Sequence, residues 1–162
     1  MKKVSEIISA MLEYYAGDVL RINHFLKVYA FAKAIGEQEN LDANIQEILE
    51  TAALVHDIGI KISEEKYHSS AGNFQQIEGP TIAQKMLERL GYEESFIERI
   101  CFLIAHHHTY TNIEGIDYQI LIEADFLVNI FEEKISLEAA KGIKEKYFKT
   151  KTGARFLEDL YL

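Results

Sequence analysis

Residues 50–73 read ETAALVHDIGIKISEEKYHSSAGN, an oily helical stretch that sets His56 beside Asp57 and then breaks at Gly59. Upstream, Ile45, Ile48, Leu49, Ala52 and Val55 recur at helical spacing, so one face of this helix is buried. Asp42 offers an N-cap, and Gly59 falls just beyond the end. His56 and Asp57 therefore stand where the helix leaves its core. A carboxylate at the negative end of a helix dipole is disfavoured alone, which asks for a metal or a cationic partner.

The same periodicity runs outward in both directions. Val4, Ile7, Ile8, Met11 and Leu12 predict a first helix ending near Tyr15 and stopped at Gly17. Asp18 caps a second, in which Ile22, Phe25, Leu26, Tyr29, Phe31, Ala32 and Ile35 leave almost no polar face, so it should be central. Beyond Gly59 the periodicity fades, and Ser69, Ser70, Gly72, Asn73 and Gly79 mark Ile60 to Gly79 as a loop, which at that length suits the cover of a site. Pro80 opens the next helix, TIAQKMLERL, which Gly91 closes. Further helices cover SFIERICFLIAHH, DYQILIEADFLVNIF, LEAAKGIKEKYF and a short closing ARFLEDLYL. With one proline and no repeat or linker, the reading is all-α: a compact bundle of about six to eight helices forming one domain over residues 1–162.

Composition narrows the function. Seventeen Lys and Arg against 26 Asp and Glu give a formal charge of −9, which repels a phosphate backbone and argues against nucleic acid as a partner. The apolar residues of MKKVSEIISAMLEYY are interrupted by Ser5, Glu6, Ser9 and Glu13, unlike a signal peptide. No apolar run reaches the ~18 residues of a membrane span. Cys101 is the sole cysteine and lies in an apolar run, as an inert buried thiol would, and the expected compartment is the reducing cytoplasm.

Two further polar residues sit on apolar helix faces. Helical steps from His24 reach Val28, Phe31 and Ile35; steps from Asp125 reach Leu121, Ile122 and Val128. A carboxylate drawn out of water needs a cation or several donors. His24, His56, Asp57 and Asp125 together supply two imidazoles and two carboxylates from three helices, a set suited to a borderline divalent metal. Two neutral histidines and two aspartates neutralise a dication. Such a site keeps enough Lewis acidity to acidify a bound water while admitting a phosphate oxygen.

In order and approximate spacing, His24, the pair His56-Asp57 and the distant Asp125 resemble the H…HD…D signature of the HD-domain superfamily of metal-dependent phosphohydrolases. The resemblance covers roughly Arg21 to Phe131. It implies a helical bundle whose His24, His56, Asp57 and Asp125 hold Mn, Fe, Co, Ni or Zn, and hydrolysis of a phosphoester or phosphoanhydride in a small nucleotide or other phosphorylated metabolite. Asp57 would both ligate the metal and orient the attacking water. His106 and His107 are expected to bind phosphate or protonate the leaving group, Lys61 to reach a phosphate, and Glu65 or Glu64 to act as base. Tyr67 and Phe74 are candidates to stack on a base.

Two departures shape this expectation. Superfamily members that hydrolyse guanosine tetraphosphate carry a Glu-Asp pair where this chain has Ile60 and Lys61, so that activity is not expected. Binuclear members place an extra histidine between the HD pair and the later cluster; here that interval holds only His68, with Gln75, Gln76 and Glu78 near the usual place. One metal per chain is favoured, and a second would use His68 or Glu78 with His106 or His107. A di-iron oxygenase and a non-catalytic metal-binding sensor are the alternatives, and the oligomeric state stays open, a homodimer included.

Overall fold

A computed structural model of the chain describes residues 3–162; Met1 and Lys2, at the head of the amphipathic N-terminal stretch, lie outside them. Among the described residues there is no strand, as the periodicity predicts. The helices are α1 (Val4–Tyr14), α2 (Val19–Gln38), α3 (Ala43–Val55), α4 (Ile60–Tyr67), α5 (Gly72–Arg89), α6 (Glu94–His106), α7 (Ile116–Glu132), α8 (Leu137–Tyr147) and α9 (Lys151–Tyr161). Asp18 caps α2 by accepting from the Arg21 amide, and Asp42 caps α3 by accepting from Asn44 and Ile45. Among the described residues no helix is long and apolar enough to cross a membrane.

The bundle is organised around α2, α3 and α7, with α5 paired to α6. α7 is buried along almost its whole length, including Asp117, Gln119, Glu123 and Asp125. Phe25, Val28 and Ile35 of α2, Leu49 and Leu54 of α3, and Leu121 and Leu127 of α7 fill the core between them.

The segment Ile60–Gly79 departs from the sequence reading. It is not a loop: α4 occupies residues 60–67, and α5 begins at Gly72, so Pro80 lies inside that helix rather than in its first turn. A proline there costs one backbone hydrogen bond but does not prevent the helix from continuing. The glycines that suggested a loop serve close packing instead. Gly59 has φ −76°, an ordinary right-handed value, yet a Cβ on it would lie 2.7 Å from the Gln75 carbonyl oxygen and 2.8 Å from the Gly79 nitrogen. A Cβ on Gly79 would lie 2.6 Å from Cγ2 of Ile104. The turn carrying Asp57 is thus pressed backbone to backbone on α5. Gly59→Ala is expected to destabilise the fold by about 2–3 kcal/mol through overpacking, read as a lower urea midpoint; an unchanged midpoint would refute the crossing.

α9 is locked onto α7 by Glu123, whose side chain is fully buried. It accepts from Gln119 Nε2 at 2.9 Å and from the Thr150 hydroxyl at 2.8 Å, beside the N-terminus that Thr150 caps. Burial pushes its pKa up to about 7 from 4.5. A raised carboxyl pKa makes the folded state bind a proton that the unfolded state lacks between those two values, so stability rises as pH falls through that window. The expected gain is about 3 kcal/mol from pH 7.5 to 4.5. Urea titrations in chelator should show this rise in the wild type relative to Glu123→Gln; identical pH profiles would exclude it.

Candidate metal centre

Four separate helices deliver the polar cluster. His24 lies on α2, His56 and Asp57 in the turn after α3, Asp125 on α7, and His107 and His108 just past α6. His24 Nε2 is 3.2 Å from His56 Nε2, and 3.1 Å from both Asp57 Oδ2 and Asp125 Oδ1. His56 Nε2 stands 3.3 Å from Asp57 Oδ2 and 3.4 Å from Asp125 Oδ1. The four residues singled out in the sequence therefore converge on one point. His107 Nε2 joins from the other side, 3.4 Å from Asp57 Oδ1.

The hydrogen-bond partners fix which nitrogen each imidazole presents. Nδ1 of His56 donates to the Ala53 carbonyl at 2.7 Å, Nδ1 of His107 to the Ile104 carbonyl at 2.7 Å, and Nδ1 of His24 to Glu132 Oε2 at 3.1 Å. Each Nε2 is thereby turned toward the carboxylates, where it carries a proton in the charged imidazole and offers a lone pair to a cation once that proton is displaced. Residues that could share a cation form two groups meeting at Asp57: His24, His56 and Asp57, and Asp57, His107 and His108, each with ligand atoms within 4.8 Å of one another.

The donor set fits a divalent metal. His107 Nε2 and Asp125 Oδ1 are buried without a well-directed hydrogen bond, although Asp57 Oδ1 lies 3.4 Å from the first and His24 Nε2 3.1 Å from the second, an arrangement that a cation among them would complete. Burial alone would lower the His24 pKa, but the Asp125 and Asp57 carboxylates 3.1 Å from its Nε2 raise it to about 10. His56 is likewise raised, its burial overcome by the Asp57 charge. Burial opposes ionisation of Asp57 and Asp125, yet the His56 charge holds Asp57 low and the close imidazoles of His24 and His56 hold Asp125 low. Protons on the imidazoles and a metal compete for the same carboxylates, so loading releases protons. His108 differs: burial and the neighbouring His107 push its pKa down to about 4, and its Nε2 donates to Gln75 Oε1 at 3.0 Å.

The expected second layer assembles only in part. His107 points inward on the face of Leu103 and Ile104, as its helical spacing requires, and His108 follows it. His106 does not join them. Its ring stacks on Phe102 at 4.2 Å, and its Nδ1 bonds the Phe102 carbonyl. Lys61 is turned outward by the first turn of α4, where its ammonium meets the Tyr14 carbonyl at 3.3 Å and lies over the Tyr14 ring. Glu65 is exposed on α4, and Glu64 is held by Arg21. His68 is an exposed C-cap of α4, and Glu78 binds Lys66 and Tyr67, so neither belongs to the groups at Asp57. Tyr67 and Phe74 stack on each other at 4.2 Å.

Two contributors escaped the sequence reading. Arg21, one turn before His24, and Glu132, two turns after Asp125, lie on the same helix faces as residues already identified, and that spacing was the available signal. Gln75, noted in the sequence near the usual place of an extra histidine, faces His108 at 3.0 Å.

A cleft of about 380 Å³ opens onto the cluster, lined by His24, Asp57, His108, Asp125 and Glu132 among others, and Arg21 is the one Lys or Arg among its lining residues. A larger groove of about 450 Å³ around Glu88, Glu98 and Cys101 holds no histidine, so the chemistry marks the site and size does not.

Comparison with known proteins agrees with this geometry. The crystal structure of a predicted HD superfamily hydrolase from an uncultured Thermotogales bacterium superposes with a TM-score of 0.71 at 25% identity, covering 97% of this chain and 84% of that one. No match is found among curated proteins. The sequence model of the HD domain matches residues 21–146, a span that holds His24, His56, Asp57, His107, His108 and Asp125 alike, and the chain therefore belongs to the HD-domain family.

Proposed function

We propose that residues 1–162 form one metal-dependent phosphohydrolase domain acting on a small nucleotide or other phosphorylated metabolite, as a phosphomonoesterase or pyrophosphatase. The observation that carries this reading is the convergence of His24, His56, Asp57, His107 and Asp125 at the floor of an open cleft, with His107 Nε2 and Asp125 Oδ1 buried and lacking a well-directed hydrogen bond. The hydrolase description of the Thermotogales structure supports the same reaction class.

His24, His56, Asp57 and Asp125 would hold a divalent transition metal of the Mn, Fe, Co, Ni or Zn group. When bound, the cation supplies Lewis acidity for a water nucleophile and for the phosphoryl oxygens. The chain's own residues do the rest. Asp57 belongs to both candidate ligand groups and would also orient the attacking water. Arg21 faces the cleft with a guanidinium now held by Asp18 and Glu64, and a phosphate dianion competes with those carboxylates for it.

The group of Asp57, His107 and His108 favours a second cation beside the first, without His68 or Glu78. Metal analysis separates the forms: two irons per chain with oxygen-dependent activity would point to a di-iron oxygenase. The main test is a panel of nucleotides and phosphorylated metabolites with several divalent metals, read by phosphate or pyrophosphate release. Absence of turnover with every metal would overturn the hydrolase reading and leave a binding role.

A further inference from the structure

The three imidazoles whose Nε2 atoms face Asp57 are not oriented alike. His56 and His107 use main-chain carbonyls three residues earlier, Ala53 and Ile104, which are neutral acceptors within their own turns. His24 sits inside α2, and its Nδ1 is met instead by a carboxylate from another helix, Glu132 at 3.1 Å. Glu132 follows Asp125 by two helical turns, so α7 brings both a candidate ligand and a charged acceptor to the same histidine. Lys27, one turn beyond His24 on α2, holds the other Glu132 oxygen at 2.7 Å.

We propose that Glu132 is the positioning residue of the metal centre: its carboxylate fixes the His24 tautomer and ring plane and strengthens Nε2 as a ligand. The proposal rests on the reading of the cluster as a metal site and adds to it a residue that touches no metal. Lys27 is secondary, holding the other carboxylate oxygen and so aiming the group. A charged acceptor on the distal imidazole nitrogen makes the proximal one a better donor, and loss of such a partner typically weakens metal affinity about 10–100-fold. An exposed Lys-Glu ion pair alone contributes little, so a merely structural Glu132 has no such effect.

The test measures Co²⁺ and Zn²⁺ affinity by chelator competition at fixed pH, with the visible Co²⁺ spectrum and the thermal midpoint of the metal-free protein. Glu132→Ala is expected to weaken binding about 10–100-fold and to alter the Co²⁺ bands, with the metal-free midpoint near wild type. Glu132→Gln, which keeps an acceptor without the charge, should recover part of the loss, and Lys27→Met should stay close to wild type. Wild-type affinity and spectrum in Glu132→Ala would overturn the proposal while leaving the metal centre standing, as would a Lys27→Met loss equal to that of Glu132→Ala. Failure of the wild type to bind any divalent metal would overturn both.

Discussion

Asp57→Ala is expected to yield a folded helical protein that has lost its divalent metal and at least ~10³-fold of its turnover. Asp57 is the residue common to both candidate ligand groups, with Oδ2 facing His24 and His56 and Oδ1 facing His107. Removing it leaves three imidazoles converging with only Asp125 to balance a cation, so the charge neutrality of the site fails. The fold survives because the turn is fixed by other contacts: the Tyr15 hydroxyl donates to the Asp57 carbonyl at 2.7 Å, and Gly59 packs on α5. Metal content by elemental analysis, circular dichroism and turnover with the best substrate check the three parts together. An Asp57→Ala protein with full metal and full activity would sink the assignment of the centre.

Arg21→Ala is expected to leave metal content unchanged and to lower kcat/KM about 10²–10³-fold, the usual cost of removing a strong electrostatic partner of the reacting group. In a chain of formal charge −9, a cleft edged by Asp57, Asp125, Glu132 and Glu133 repels an anionic substrate, and Arg21 is the one Lys or Arg among its lining residues. Truncating its side chain does not uncap α2, because Asp18 accepts from the backbone amide of residue 21. Arg21→Lys should recover only part of the rate, since an ammonium does not reproduce the forked donors of a guanidinium. An Arg21→Ala enzyme with wild-type kcat/KM would show that the phosphate is bound elsewhere.

The metal-ligand candidates were legible in the sequence because each violates its surroundings: His24 and Asp125 interrupt apolar faces, and Asp57 sits at the wrong end of a dipole. Helix periodicity and the caps at Asp18 and Asp42 were equally readable. The segment after Gly59 was not, since a glycine that ends a helix and one that lets two backbones touch look the same in one dimension. Gly59 and Gly79 are of the second kind, and α4 followed unseen. The misplacement of Lys61 and Glu65 comes from the same source, because the rotation of α4 decides which of its side chains face the cleft. His106 and His107 were separable by spacing alone, whereas His108 joins through the turn beyond α6.

His24 and Asp125 meet although 101 positions separate them (125 − 24), with His56 and His107 entering from two further helices. A cation held among them is gripped by the tertiary structure and by no local motif, so binding free energy and folding free energy are shared. Occupancy then acts as a gauge of the bundle's integrity. A core substitution far from the cleft, harmless to helix content, registers as a weaker hold on the ion.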